Sequence, residues 1–150
     1  MTSFLNIAAI LCIGLMIGTE FSVSAFINPV LRKLDDRTRL AGIRLFAAKL
    51  GFAMPFWYAL SLLFLIAETF LLRHQPQVSL LIAAIAIWAA VIVLTLLFLV
   101  PINNRLAQLA PDTSEPRKAF EQHATWDKMH RLRVAALTLA MVLFLVAIHV

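Results

Sequence analysis

Apolar residues fill four long stretches of the chain, and short polar segments separate them. The stretches cover residues 4–31, 45–72, 78–100 and 134–150. A helix needs about 20 apolar residues to cross the hydrocarbon core of a bilayer. The first three are long enough, and the fourth suffices if Arg133 at its start reaches the interface. Because backbone groups in lipid must bond within their own segment, the pattern predicts an all-α, polytopic bundle of four transmembrane helices. This bundle forms a single membrane domain over residues 1–150.

Composition supports a membrane protein and excludes other classes. Hydrophobic residues make up 62% of the chain and charged residues 14%, against about 45–50% and about 25% in typical soluble domains. A water-soluble enzyme of this size cannot hide so much apolar surface. The same numbers exclude a disordered chain.

The basic residues predict an orientation. The chain has 13 Lys and Arg and a net charge of +5; six of these residues lie between residues 32 and 49, and six between residues 105 and 133. The positive-inside rule places both segments in the cytoplasm, as residues 32–44 and 101–133. Both termini then lie on the outer side of the cell inner (plasma) membrane. The charge therefore indicates topology, and nucleic acid is not an expected partner.

The segment before the fourth span predicts one long final helix. Residues 111–116 form a cluster of helix breakers, in which Thr113 or Ser114 suits an N-cap. A helix from there to the C-terminus is longer than a 30 Å core requires at about 1.5 Å per residue. Its first part should therefore extend into the cytoplasm.

One face of this final helix carries a polar and aromatic set. The set comprises His123, Trp126, His130 and Arg133, and its spacings of three, four and three residues place it on one side of a helix. Deeper residues of that side are apolar, so we expect it to face the bundle interior. Asp127, Lys128 and Arg131 fall to its side or back.

Ionisable residues inside the first two spans are further candidates for function. Glu20 is followed by Ser24 and Asn28 on the same side of span one, and Lys49 lies at a similar depth in span two. A Glu20–Lys49 pair is geometrically feasible. It fits two interpretations, a buried ion pair that sets helix register and a proton acceptor or ligand group.

Small residues in span one suggest close helix packing. Gly14 and Gly18 form a GxxxG pattern that points away from Glu20. In span two, Pro55 predicts a kink, and Trp57 and Tyr58 fit either the core or a pocket wall. The glycine face makes self-association into a homo-oligomer a further expectation.

The histidines do not match a metal site. His123 and His130 are two helical turns apart, about 10 Å, which is too far to share one ion. The chain has no ExxH pair of the di-iron type. We therefore expect no metal and no cofactor. Haem bound through His130, or through His74 and His149 at the outer surface, stays an alternative.

The predicted topology gathers polar side chains at the cytoplasmic mouth of the bundle. These are Asn28, Arg44, Asn103, Asn104, Trp126, His130 and Arg133, with Glu20 and Lys49 one or more turns deeper. The sequence thus predicts a pocket there with an aromatic wall and a polar floor. The alternative is a set of interfacial anchors, since Trp and Arg favour that depth.

Three segments resemble the anthrone oxygenase-like family of four-helix integral membrane proteins, a family described largely as of unknown function. They are Phe21–Leu31, which ends span one with Asn28-Pro29; Val100–Leu106, which contains Val-Pro-Ile-Asn-Asn-Arg-Leu; and Trp126–Arg133. Their order, spacing and topology extend the resemblance over nearly the whole chain.

The resemblance implies a chemistry. Fungal members oxidise an anthrone to an anthraquinone with molecular oxygen, without metal or flavin. Carried to matching positions, it implies a site at Asn103, Trp126, His130 and Arg133. His130 stands where fungal sequences often have Asn.

These observations predict an oxygenase or oxidoreductase that acts on a lipophilic phenolic, anthrone- or quinol-like molecule. His130 or Glu20 removes a proton as general base, and Arg133 with Asn103 or Asn104 stabilises the oxyanion. Trp126 stacks on the ring, and Asn28 and Lys49 complete the substrate-binding set. A membrane scaffold or accessory subunit, a small proton-coupled transporter and a haem-binding protein are the alternatives.

Overall fold

A computed structural model describes residues 2–110 and 116–149 and shows an all-helical protein. Four long helices account for nearly all of it: α1 (Thr2–Ser22, Val23–Ile27 and Asn28–Leu31), α2 (Asp36–Leu71), α3 (Val78–Leu94, Thr95–Leu99 and Val100–Ala107) and α4 (Pro116–His149). All four are long and apolar enough to cross a membrane. The predicted single final helix is therefore confirmed from Pro116 onwards, while the proposed N-caps Thr113 and Ser114 lie outside the described residues.

Two helices contain a π-helical turn, and a proline follows each turn at the same distance. The turns are Val23–Ile27 in α1 and Thr95–Leu99 in α3, and each ends two residues before a proline, Pro29 or Pro101. Proline has no N–H to continue the α-helical bonding pattern. The turn widens instead, so that the Asn28 N–H bonds the Val23 carbonyl. The Val100 N–H bonds the Thr95 carbonyl in the same way.

The helices pack in a ring in the order α1–α2–α3–α4, and α4 closes against α1. Short loops at residues 32–35 and 72–77 make consecutive helices antiparallel. Asp35 caps α2, since its carboxylate accepts from the Thr38 backbone N–H at 3.1 Å. Hydrogen bonding from the Thr38 hydroxyl, and secondly from this N–H, holds the pKa of the Asp35 carboxyl below its ordinary value.

Two apolar clusters form the core. The larger contains Ile13, Leu65, Trp88, Leu137 and Phe144 and fills the bundle from its middle to the end at the 72–77 loop. The smaller, around Leu31, Ile43 and Leu106, fills the opposite end. Large apolar side chains also cover the outer surface, as expected for helices that face lipid.

The structure corrects the interpretation of the span-one glycines. Apart from the adjacent residues and backbone of α1 itself, no described atom lies within 4 Å of a Cβ built on Gly14 or Gly18. The GxxxG face therefore does not mediate packing inside this chain. It lies on the exposed surface of α1, where self-association stays a prediction.

Asp127 lies to the side of the inward face of the last helix, as expected, but this side is also covered. Asp127 is buried, and its carboxylate accepts from Asn28 at 2.5 Å and Arg32 at 2.7 Å. Arg131, one turn further along α4, donates to it at 3.2 Å. The sequence pattern missed this because α1 approaches α4 from that side. The result is a polar tether between the end of α1 and α4.

We predict that Asp127→Ala destabilises the protein by about 2 kcal/mol, because Asn28 and two arginines lose their shared acceptor. Lys128→Ala removes an exposed charge from the next position and serves as the control, with an expected change within ~0.5 kcal/mol. Unfolding in mixed micelles followed by circular dichroism measures both. Equal stability of the two variants would contradict the tether.

Candidate functional site

A cavity of about 240 Å³ lies between all four helices. Apolar side chains form most of its wall, including Met54, Leu62, Ile92, Leu96 and Leu99. Five predicted site residues also line it: Glu20, Asn103, Trp126, His130 and Arg133. The structure thus brings together residues separated by more than a hundred positions in the chain.

Glu20 and Arg133 form a buried ion pair at this cavity. Arg133 Nη2 lies 2.6 Å from Glu20 Oε2, and the two side chains are 9% and 3% exposed. The pair joins α1 to α4. Lys49, the partner considered from the sequence, lies on the exposed surface of α2, so the Glu20–Lys49 pairing is wrong.

His130 completes a triangle with this ion pair. Its Nδ1 lies 3.0 Å from Glu20 Oε2 and 2.8 Å from Arg133 Nη2. Its Nε2 lies 3.0 Å from the Glu20 backbone carbonyl, which only accepts. We therefore assign the proton to Nε2, which leaves the Nδ1 lone pair for Arg133. Neutral His130 then adds no charge to a balanced Glu20–Arg133 pair.

Trp126 is held between the two histidines of its own helix. Its ring stacks on His130 with centroids 4.6 Å apart and on His123 with centroids 6.0 Å apart. The histidines lie one turn before and one turn after Trp126, so they cover opposite faces of the indole. Trp126 therefore presents an edge to the cavity. The predicted inward face of the last helix is correct, since His123 and His130 are buried.

Asn103 is anchored against the backbone of α2. Its amide donates to the Ala47 carbonyl at 2.9 Å. This approach depends on Gly51, because a Cβ there would collide with the Asn103 amide nitrogen. Glycine at this position thus lets α3 bring a polar side chain onto α2 and into the cavity wall.

The structure places the other predicted binding residues outside the described walls of this cavity. Asn104 and Lys49 are exposed, and Asn28 belongs to the Asp127 tether. Asn28 instead lines a smaller hollow of about 30 Å³ beside His123. The hollow and the main cavity share Val23, Leu50, Asn103 and Trp126.

Two residues of the cavity wall that contact Arg133, Tyr58 and Thr95, were not among the predicted site residues. The sequence allows Tyr58 in the core or in a pocket wall, and it lines the cavity while 6% exposed. The Arg133 guanidinium carbon lies 5.6 Å from its ring centroid. Thr95 lies in the π turn of α3, and its hydroxyl accepts from Arg133 Nη1 at 3.4 Å. In the sequence, Thr95 is marked only as a polar residue in an apolar span, six positions before Pro101.

The cavity reaches the outer surface of the bundle. Gly51, Pro55 and Ala59 of α2 and Leu96 of α3 line it and are also exposed. The three α2 residues are spaced by four positions, so they form one stripe of the helix. The opening lies between α2 and α3 in the apolar surface.

The described side chains include no group of three or more His, Cys, Asp or Glu placed to hold a metal ion. Both ring nitrogens of His130 are engaged, so haem ligation there would break one of these contacts. His74 lies in the 72–77 loop and His149 near the chain end, and both are exposed. Arg73 Nε donates to His74 Nε2 at 3.1 Å.

In comparison with known proteins, a family model described as anthrone oxygenase matches residues 43–143, about two thirds of the chain. No curated protein and no solved structure matches. The matched range contains Asn103, Trp126, His130 and Arg133, whereas Glu20 lies before it.

We predict that Gly51→Ala destabilises the protein by roughly 1–3 kcal/mol, because the new methyl group displaces the Asn103 amide. In an Asn103→Ala background the same change should be nearly neutral, so a double-mutant cycle should give a coupling of about 1 kcal/mol or more. Unfolding in micelles measures it.

Gly14→Ala is the matched control for this cycle. The described residues leave open space around Gly14, and alanine favours a helix by about 0.5–1 kcal/mol over glycine. We expect it to be neutral or stabilising. Additive effects of Gly51→Ala and Asn103→Ala would show that the two residues do not meet.

Proposed function

Because the chain belongs to the anthrone oxygenase family over residues 43–143, we propose that it oxidises a lipophilic phenolic, anthrone- or quinol-like substrate with molecular oxygen. The observation that carries the proposal is the buried Glu20–His130–Arg133 triangle at one side of an apolar cavity. A proton acceptor and a fixed cation beside an apolar binding space suit the removal of a proton from a hydrophobic molecule.

The proposed reaction balances with oxygen as the sole oxidant. A base takes a proton from the ring CH₂ of an anthrone, and the negative charge spreads onto the carbonyl oxygen. The anion transfers electrons to O₂, and a C–O bond forms to give a hydroperoxide after protonation. Loss of water from this hydroperoxide leaves a second carbonyl. One substrate and one O₂ thus yield one quinone and one water.

Glu20 is the better placed base. Its backbone carbonyl and Arg133 occupy the two nitrogens of His130, whereas the contacts described for the carboxylate all involve Oε2. A protonated Glu20 can donate to His130 Nδ1, which lies 3.0 Å from Oε2, once Arg133 Nη2 gives up its contact with that nitrogen. His130 then positions the protonated carboxyl, and Arg133 offsets the charge of the substrate anion.

Trp126 and Asn103 serve as walls in this proposal. Since both indole faces lie against histidines, Trp126 contacts the substrate ring with its edge, an arrangement that aromatic pairs favour. The hydrogen bond to the Ala47 carbonyl holds the Asn103 side chain in the cavity wall. The opening between α2 and α3 supports entry of a lipophilic substrate from the bilayer. We propose that neither metal nor organic cofactor takes part.

We further propose that the four helices cross a cell inner (plasma) membrane with both termini outside. The basic loop that contains Lys33 and the basic first half of α4 then lie in the cytoplasm. Helix α3 continues past residue 100 to Ala107, and α4 begins at Pro116, before residue 134. Parts of both helices therefore extend past the predicted spans on the cytoplasmic side.

We predict that Glu20→Gln lowers substrate-dependent oxygen consumption by about 100-fold or more, because the amide cannot accept the proton. The measurement uses the purified protein in detergent with 1,8-dihydroxyanthrone and an oxygen electrode. His130→Ala should also lower the rate. Glu68→Gln changes another buried glutamate, outside the cavity wall, and should retain it.

Oxygen consumption that is unchanged in both Glu20→Gln and His130→Ala would contradict the assigned roles. The visible spectrum and metal content of the same wild-type sample test the cofactor proposal. A Soret band, a flavin band or stoichiometric metal would overturn it.

The orientation can be tested with single cysteines, because Cys12 is the one native cysteine. In a Cys12→Ala background, we expect His74→Cys to react with a membrane-impermeant maleimide on intact cells. Lys33→Cys should react only after the membrane is opened. Both positions are exposed, so the reverse pattern would show the opposite orientation.

A further inference from the structure

Two buried hydrogen-bond donors in the cavity wall make no well-formed hydrogen bond with the described residues, although the Glu20 carboxylate lies near one of them. They are the hydroxyl of Tyr58 and the Nε–H of Arg133, and both atoms are buried. Buried polar groups in proteins are nearly always bonded. Two unused donors on the wall of one cavity therefore point to a ligand that supplies the acceptor.

The Arg133 guanidinium is held through its two terminal nitrogens, and its Nε–H is the nitrogen left without a hydrogen bond. Its Nη2 is committed to Glu20 at 2.6 Å and its Nη1 contacts Thr95 at 3.4 Å. The guanidinium carbon lies 5.6 Å from the Tyr58 ring centroid. A cation fixed at two points beside a tyrosine presents a preorganised electrostatic site.

The chemistry of the two donors specifies the ligand atom. A cationic N–H and a phenolic O–H together favour an oxygen that carries negative charge. The neighbouring wall is apolar, from Met54, Leu62 and Ile92. The ligand is thus an apolar ring system with one charged or strongly polarised oxygen at its edge.

We propose that Tyr58 and Arg133 form an oxyanion-binding subsite, in which Tyr58 is a catalytic residue that donates to the phenolate or enolate oxygen of the substrate. This rests on the proposed function for the identity of the reaction. The binding chemistry itself depends only on the two donors and the apolar wall.

The groups around the Tyr58 hydroxyl also define a competing role. Glu20 of α1 and Arg133 of α4 face it, and His130 lies behind Glu20. If the Tyr58 hydroxyl donates to the Glu20 carboxylate instead, Tyr58 is a positioning residue. Its loss would then alter the pH profile of turnover without changing the affinity for an anion. A tyrosine that binds substrate oxygen changes that affinity directly.

The test uses 4-nitrophenol, whose phenolate absorbs visible light whereas the phenol does not, and 4-nitrotoluene, which replaces the oxygen with a methyl group. We expect Tyr58→Phe to weaken 4-nitrophenolate binding about 10- to 100-fold and to leave 4-nitrotoluene binding unchanged. Ser61→Ala removes another buried hydroxyl from α2, outside the cavity, and should affect neither probe. Equilibrium dialysis in detergent measures both.

The wild-type protein gives a second readout that needs no variant. Bound 4-nitrophenol should ionise at lower pH than in protein-free micelles, and the visible band reports this. Equal weakening of both probes by Tyr58→Phe, no weakening, or no downward shift for the wild type would overturn the subsite. A changed pH profile of turnover with unchanged affinity would assign Tyr58 to Glu20 instead.

These results separate the subsite from the proposed function. Selective phenolate binding without oxygen consumption would support the subsite and reject the oxygenase. Oxygen consumption with no selectivity for the phenolate would support the oxygenase and reject the subsite.

Discussion

The buried pair between Glu20 and Arg133 is the constraint on which the centre of this bundle depends. Each charge alone is costly in an apolar interior, and their attraction offsets the cost only at close range and with further hydrogen bonds. The Nη2–Oε2 distance of 2.6 Å and the contacts of His130 meet both conditions. Since Glu20 belongs to α1 and Arg133 to α4, the pair fixes these helices in depth and rotation. The cavity wall is then defined by the same two residues.

Two prolines and one glycine shape the cavity. The π turns before Pro29 and Pro101 place Val23 and Thr95 at the cavity, one from each side. Such turns disrupt regular helical bonding and occur often at functional sites. Gly51 does the opposite locally, since it lets Asn103 approach the α2 backbone closely. The two π turns and the close contact between Gly51 and Asn103 thus border a cavity, while the same helices pack tightly elsewhere.

Much of this arrangement could be predicted from the sequence. Hydropathy alone predicts four apolar helices, and the spacing of His123, Trp126, His130 and Arg133 predicts the inward face of α4. Periodicity orders residues around one helix, but it does not give the rotation of that helix relative to its neighbours. Periodicity therefore places Asp127 to the side or back of that face without showing that α1 covers it, and it leaves Lys49 as a feasible partner of Glu20. A long arginine one turn beyond His130 reaches the carboxylate instead.

The role of the Tyr58 hydroxyl could not be predicted from the sequence. In the sequence, Tyr58 is an aromatic residue at mid-span, indistinguishable from core, and its meaning emerges only when its hydroxyl is found buried without a well-formed hydrogen bond. A fold under selection for stability alone could replace that hydroxyl with hydrogen, as in phenylalanine, and lose no bond. Arg133 is similar, because its Nη2 pairs with Glu20 and its Nη1 contacts Thr95, whereas its Nε–H makes no hydrogen bond with the described residues. Donors that the fold positions but does not satisfy are most simply explained by a molecule that satisfies them, and the surrounding apolar wall makes that molecule hydrophobic.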